Sequence, residues 1–170
     1  MTPRKPLIDN RFRSVLISIG ACMALIVAYY MAVGQEKIPS DTQIVYQGCI
    51  GAPCRAFRLE IAHDGAVRLL DDTGASSYKI STFALRRVLR VFNRQHFLDR
   101  NVMAYDAGSG AACELSLQMD HRLTALTHAC DTQAPEIAQP VEALEQVTRF
   151  REVAAGDAVV RHDLGVQPAT

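Results

Sequence analysis

The feature that most constrains this chain is an uncharged stretch near its N-terminus, residues 14–33. Its sequence, SVLISIGACMALIVAYYMAV, contains no Asp, Glu, Lys or Arg. As a helix rising about 1.5 Å per residue, it would be about 30 Å long, which matches the hydrocarbon thickness of a bilayer. The stretch therefore predicts a single transmembrane helix.

Charges on either side of this stretch predict its direction. Four bases and one acid precede it, whereas a single base, Lys37, occurs in the fifteen residues that follow. The preceding bases are Arg4, Lys5, Arg11 and Arg13. Cytoplasmic flanks of membrane helices are enriched in Lys and Arg. We therefore expect residues 1–13 in the cytoplasm of a bacterium, the span in its inner membrane, and the rest of the chain in the periplasm.

Two alternatives to a retained span stay open. Ala32-Val33-Gly34 has the small-x-small form of a signal-peptidase site, although the apolar core is longer than the usual core of about 7 to 15 residues. Ile19-Gly20-Ala21-Cys22 has the form of a lipobox, in which Cys22 would carry the lipid anchor. Against a lipoprotein, the residues after Cys22 stay apolar as far as Val33.

The remaining length predicts one extracytoplasmic domain. About 135 residues follow the span, enough for one modest core. We assign residues 34–40 to a linker, 41–156 to the domain and 157–170 to a loose C-terminal tail. Of the 18 bases and 18 acids, fourteen bases and seventeen acids lie after residue 13. This slightly acidic balance argues against a nucleic-acid-binding domain.

Four cysteines after the span predict two disulfides, because an even number in an oxidising compartment favours pairing. If His121-Arg122 is a two-residue turn, Cys113 lies opposite Cys130, at a Cα separation that a disulfide bridges. The same register places four apolar residues on one face, namely Leu115, Leu117, Met119 and Leu126. We therefore predict Cys113–Cys130 and, by elimination, Cys49–Cys54.

Periodicity predicts the other elements. Strands are expected at residues 43–47, 55–62 and 66–70, with a polar, turn-rich segment at 71–77. Ser81 is placed to cap a helix over about 82–95, whose apolar stripe is Leu85, Val88, Leu89 and Phe92. A second helix follows Ala134. Either Pro140 lies in its first turn and it reaches Val153, or two pieces meet at Pro140. The predicted class is α+β, with antiparallel hairpins and two packed helices.

The motif order resembles a family of bacterial envelope domains of unknown function. The matching features are Cys49-Ile-Gly-Ala-Pro-Cys54, Phe57-Arg-Leu-Glu-Ile61, Asp64-Gly65, a helix ending before Phe97, and Tyr105-Asp106. They cover about residues 43–150, and the cysteine spacing is one residue longer than in that family. Since the family has no assigned activity, the resemblance implies a fold and supplies no catalytic residue.

Motifs that indicate chemistry are missing from the sequence. It has no Cys-x-x-Cys-His, no Gly-rich phosphate loop, no Gly-x-Ser-x-Gly and no histidine pair at helical metal spacing. His128 lies two residues before Cys130, and we interpret it as a packed histidine beside a disulfide rather than a metal ligand. We therefore expect no catalytic residue, no metal and no cofactor.

Two sets of residues are candidate contact sites. Arg86, Arg87, Arg90 and Arg94 share the outer side of the predicted helix and form a candidate partner surface, although such a face is more often simply solvated. Gly20, Ala24 and Ala28 recur every four residues in the span, as in closely packed membrane helices.

By subtraction, we expect a non-enzymatic accessory or interaction subunit of an inner-membrane complex, such as an electron-transport or photosynthetic assembly. Its partners would be membrane lipid and other integral membrane subunits, with no nucleic acid, while a small-molecule ligand stays unassigned. The alternative is a membrane-tethered thiol-disulfide oxidoreductase that uses Cys49 and Cys54. Their spacing, away from a helix start, lacks the feature that lowers a thiol pKa.

Overall fold

The computed structural model describes residues 10–34, 37–51, 53–100, 111–131 and 134–168. In the N-terminal helix, side chains are described for residue 15 and residues 17–29. The chain divides into two units at residues 37 and 38. The predictions for Tyr105 and Asp106 lie outside the described residues.

The described part of the first unit is one helix, α1, Asn10–Gly34. The large apolar side chains described in it are each exposed by half or more, and they are Val15, Ile17, Ile19, Met23, Leu25, Ile26, Val27 and Tyr29. In the part of the chain that the structure describes, no helix is both long enough and apolar enough to cross a membrane. The helix predicted over residues 14–33 is present as part of α1. That it crosses a membrane stays a prediction.

The second unit is built on a seven-stranded antiparallel sheet with strand order β6-β5-β1-β2-β3-β4-β7. The strands are β1 Gln43–Ile50, β2 Arg55–Ala62, β3 Ala66–Asp71, β4 Gly74–Lys79, β5 Ala112–Met119, β6 Arg122–Ala129 and β7 Gln167–Pro168. The helices are α2 Thr82–Arg94, α3 Pro135–Thr148, α4 Phe150–Ala154 and α5 Ala158–Asp163, with a 3₁₀ turn at Phe97–Asp99. The α+β class is confirmed, with more strands and helices than the sequence predicted.

Alternation along the strands separates a buried face from an open one, because successive strand residues point to opposite sides. The buried face and the helices form one core, whose fully buried members include Tyr46, Leu59, Leu69, Leu115, Leu126, Phe92, Leu144 and Phe150. The open face carries polar side chains that bond across strands. There, Gln47 Nε2 donates to Glu114 at 2.9 Å and Arg58 Nη1 donates to Gln47 Oε1 at 3.2 Å.

The β5–β6 hairpin forms, but its predicted register is wrong by two residues. Cys113 lies opposite His128 rather than Cys130, and the turn residues are Asp120 and His121. Both have positive φ, 52° and 62°, as a tight two-residue hairpin turn requires. Asp41 stabilises this turn by accepting hydrogen bonds from both backbone N–H groups, at 3.2 and 2.6 Å. A shift of two residues keeps every side chain on its face, so the predicted apolar cluster survives.

Two segments that the sequence left irregular are ordered. Within residues 71–77, predicted to be turn, β4 begins at Gly74 and buries Ser76 and Tyr78. In the predicted tail, Asp157 caps α5 through its side chain, and β7 pairs with β4 at the edge of the sheet. Short, polar strands have weak hydrophobic patterns, so the sequence does not reveal them. They form because they pair with neighbouring strands of the sheet.

The helix over 82–95 is confirmed with its predicted cap and stripe. Ser81 Oγ accepts from the backbone N–H of Ala84 at 3.1 Å, and the four stripe residues are buried. The second helix follows neither predicted arrangement. It begins at Pro135, continues through Pro140, and ends where Arg149 adopts a left-handed φ of 50°. Pro140 is buried, so its apolar ring packs although it lacks a backbone N–H.

Candidate functional site

Both predicted disulfides are present. Cys113 and Cys130 join β5 to the end of β6 with a Cα separation of 4.9 Å, and Cys49 and Cys54 close the β1–β2 turn at 5.2 Å. They indicate an oxidising, extracytoplasmic compartment. Cys22 lies outside both disulfides and is exposed on α1.

The structure places the candidate contact residues on helix surfaces. On α2, Arg87 and Arg94 are exposed, while Arg86 and Arg90 are partly buried and take part in other interactions. On α1, the small residues Gly20, Ala24 and Ala28 are exposed.

A cleft that the sequence did not predict lies between the sheet and the helices, beside the buried disulfide. Its volume is about 450 Å³, and we name it the His128 cleft. Its polar and aromatic lining consists of Tyr46 from β1, His128 from β6, Asp131 after β6, Glu142 and Glu145 from α3, and Arg151 from α4. The site therefore combines residues that are distant in the sequence.

His128 is the most constrained side chain of this cleft. It is 1% exposed and stacks on Tyr46, with ring centroids 6.0 Å apart and planes inclined by 8°. Its Nδ1 lies 2.7 Å from the carbonyl oxygen of Ala129. A carbonyl oxygen accepts only, so we assign the proton to Nδ1 and leave Nε2 as an acceptor. Among the described residues, this buried Nε2 has no hydrogen-bond partner.

Glu145 supplies a second acceptor in the same cleft. Its Oε2 lies 3.0 Å from Arg151 Nε, the distance of an ion pair. The atoms are not aligned as a hydrogen bond, and this buried oxygen makes none with the residues that the structure describes. Burial raises the pKa of Glu145, whereas the charge of Arg151 and a hydrogen bond from the Arg151 backbone lower it. The carboxylate is thus stabilised by Arg151.

The two aromatic groups of the cleft are held in their neutral forms. Burial lowers the pKa of His128, against the hydrogen bond to Ala129, which raises it. Burial also raises the pKa of Tyr46, with the charge of Arg151 opposing and that of Glu145 adding. At neutral pH the cleft therefore contains a neutral imidazole and a neutral phenol beside the ion pair of Glu145 and Arg151.

The interpretation of His128 as a packed histidine agrees with its burial, but the sequence did not reveal its surroundings. The inward alternation of β1 and β6 could have placed Tyr46 and His128 on one sheet face. Nothing local, however, indicates that Glu145 and Arg151 converge there. Within the described parts of the chain, no group of three His, Cys, Asp or Glu residues is placed to hold a metal ion.

Comparison with known proteins identifies no relative: no protein-family model matches the chain, and no curated protein is significantly similar to it.

Proposed function

We propose that this chain is a non-enzymatic, single-pass membrane protein whose sheet domain acts in the bacterial periplasm as an interaction module. Residues 14–33 would anchor it in the inner membrane, with residues 1–13 in the cytoplasm. The observation that most supports the proposal is the combination of the uncharged stretch 14–33 with two disulfides in the domain that follows it. The two features point independently to the outer side of a membrane.

The exposure of α1 adds a physical reason for the anchor. Leu25 and Ile17 are each 71% exposed, and the other large apolar residues of the described part are exposed by half or more. Apolar surface in contact with water costs roughly 25 cal/mol per Å². A helix that is apolar on all sides is normally buried in lipid or in protein. Because the described part of α1 falls short of a span, the proposal rests on the uncharged sequence of residues 14–33 as a whole.

For the partner, we propose another integral subunit of an inner-membrane complex, for example an electron-transport or photosynthetic assembly. The small residues Gly20, Ala24 and Ala28 would allow a second helix to approach α1 closely. Arg87 and Arg94 on α2 would meet acidic groups of the same subunit. The resemblance to envelope domains of unknown function is part of this proposal.

A specific observation supports each of two alternatives, a thiol-disulfide oxidoreductase and a lipoprotein. Cys54 is exposed and Cys49 partly exposed, so the turn disulfide is accessible to a thiol-disulfide exchange partner. Cys22 is exposed and outside both disulfides, as a lipid-anchored cysteine would be before modification.

Reporter fusions test the anchor and its direction. An alkaline phosphatase fused after Thr170, which folds only outside the cytoplasm, should be active and should sediment with membranes. A fluorescent reporter confined to the cytoplasm should be dark at the same position. The reverse pattern would contradict the topology, and a soluble active fusion would indicate cleavage of the span. Metabolic labelling with a fatty acid decides whether a lipid on Cys22 replaces the span as the anchor. Label that is incorporated into the natural chain and lost in C22S would indicate the lipid.

Native separation after gentle detergent extraction tests the interaction. We expect co-migration with a defined set of membrane subunits, and the double charge reversal R87E/R94E should weaken it. The matched control is R68E, a charge reversal at an exposed position of the open sheet face. Migration as a monomer, together with a disulfide-exchange activity lost in C54S, would favour the oxidoreductase instead.

A further inference from the structure

The two cysteines of the Cys113–Cys130 bridge differ in their access to the surface. Cys113 is 2% exposed, and the backbone of Gly48 on β1 lies against it, because a Cβ at Gly48 would be 2.1 Å from Cys113 Sγ. Cys130 is partly exposed and lines the His128 cleft, whereas Cys113 does not line it. The bridge is therefore enclosed at Cys113 and borders a cleft at Cys130.

Access decides which sulfur of a disulfide a thiol can attack. The attacking thiolate bonds to one sulfur, and the other sulfur leaves as a thiolate. At Cys113 an attacking group would meet the core and the backbone of Gly48. At Cys130 a cleft of about 450 Å³ leaves room for a small thiol.

We propose that the His128 cleft is a reaction site at which small thiols open the Cys113–Cys130 bridge by attacking Cys130. A thiolate forms a mixed disulfide with Cys130, the S–S bond of the bridge breaks, and Cys113 leaves as a thiolate and takes up a proton. A second thiol then attacks the sulfur of the first, which releases Cys130 as a thiol. Overall, two small thiols are oxidised to one small disulfide, and the bridge gains two electrons and two protons. This inference goes beyond the proposed function and holds whether or not residues 14–33 anchor the chain.

Sulfite mapping on the natural chain tests which sulfur is attacked. Sulfite cleaves a disulfide by bonding to one sulfur as an S-sulfonate and releasing the other as a thiolate, so the label marks the attacked cysteine. In the folded full chain, kept in a neutral detergent, we expect mass spectrometry to find S-sulfonate on Cys130 and a free thiol at Cys113. In urea that unfolds the chain, both cysteines should carry label. Label on Cys113 in the folded chain, equal label on the two, or label confined to Cys49 and Cys54 would overturn the proposal.

Filling the cleft tests the route that the thiol takes. Ala138 on α3 lines the cleft, so A138W places a large side chain there. We expect 2-mercaptoethanol to open the Cys113–Cys130 bridge about tenfold more slowly in A138W, because thiol-disulfide exchange depends on access. The matched control is Q146W, which adds the same side chain at an exposed position of α3 outside the cleft and should leave the rate unchanged. An unchanged rate in A138W would contradict the route.

The size of the thiol provides a test on the natural chain that does not depend on variants that fail to fold. 2-Mercaptoethanol should open both bridges, whereas a thiol attached to poly(ethylene glycol) should open only the exposed bridge Cys49–Cys54. If the polymer thiol opens the two bridges in the same ratio of rates as the small thiol does, the buried bridge opens through unfolding of the domain. The cleft would then have no part in the reaction, and the proposal would be wrong.

Discussion

The two disulfides differ in where they act on the fold. Cys113–Cys130 joins two neighbouring strands, and Cys113 is 2% exposed within the core. Cys49–Cys54 closes a short turn at the end of the sheet, and Cys54 is exposed. The first bridge encloses a sequence separation of 17 residues and the second a separation of 5. The buried bridge therefore constrains tertiary packing, whereas the exposed bridge constrains a local turn.

Removing the buried bridge should have the largest effect. In the chain-entropy model, a loop of this length contributes about 3 kcal/mol, and C113A/C130A also removes two packed sulfur atoms. We expect the free energy of unfolding to fall by about 3 kcal/mol or more in urea titrations. A loss below about 1 kcal/mol would show that the bridge adds little to the hairpin's own pairing.

The close approach of Gly48 to the buried bridge provides the next test. A Cβ at Gly48 would lie 2.1 Å from Cys113 Sγ, so G48A forces the disulfide or β1 to move. Overpacking of this kind costs about 1–3 kcal/mol. The cost should shrink in the C113A/C130A background, where the sulfur is absent.

The control for this combination of G48A with C113A/C130A is G51A, in the loop closed by the other disulfide. Gly51 has a φ of 79°, and a Cβ there meets nothing closer than 3.9 Å. Its cost, about 1–2 kcal/mol from left-handed strain, should not depend on the buried bridge. If loss of that bridge changes the destabilisation by G48A and by G51A equally, the inferred steric clash between residue 48 and Cys113 is wrong.

Removing the exposed bridge should lower the free energy of unfolding by less than removing the buried one. The chain-entropy model assigns a loop of this size about 2 kcal/mol, and C49A/C54A disturbs no buried sulfur. Because Cys54 is exposed, mild reductant should open this bridge before the buried one, as mapped by timed alkylation and mass spectrometry. Opening in the opposite order would contradict the assigned difference in access.

These two bridges also show what the sequence could and could not predict. Both pairings followed from cysteine count and a hairpin hypothesis, although the register was two residues out. The error was harmless to the core because an even shift preserves the faces. The true turn depends on Asp41, which is 79 and 80 residues from the N–H groups that it binds. No local pattern carries that information, and the same holds for the approach of Glu145 and Arg151 to Tyr46 and His128.

On the opposite side of the sheet, β4 is joined to α3 by a hydrogen bond and not by a disulfide. Tyr78 on β4 donates through its hydroxyl to the carbonyl oxygen of Thr148, the last residue of α3, at 2.8 Å. Y78F would leave this buried carbonyl unpaired, and we expect a loss of about 1–2 kcal/mol in the free energy of unfolding. An unchanged stability in Y78F would mean that packing alone holds α3 to β4.

The smallest expected effect is a pH dependence at His128, next to the buried bridge. Burial lowers the pKa of His128 from 6.5, so below that pH the unfolded chain binds a proton that the folded chain resists. Stability should therefore be complete above about pH 6.5 and fall as the pH drops towards the lowered value. Glu145 acts in the opposite direction, since burial raises its pKa from 4.5 and protonation favours the folded state.

Urea midpoints at about pH 7.5 and about pH 5.5 measure the net effect, which we expect to be below about 1 kcal/mol. H128F should remove the part of the acid loss that His128 causes. E145Q should leave that part unopposed, so its stability should fall more steeply with acid. The control H63F changes an exposed histidine in the β2–β3 turn and should keep the natural slope. If H128F retains the natural slope while H63F abolishes it, the acid response belongs to the surface. The buried imidazole would then contribute packing beside the disulfide, without sensing pH.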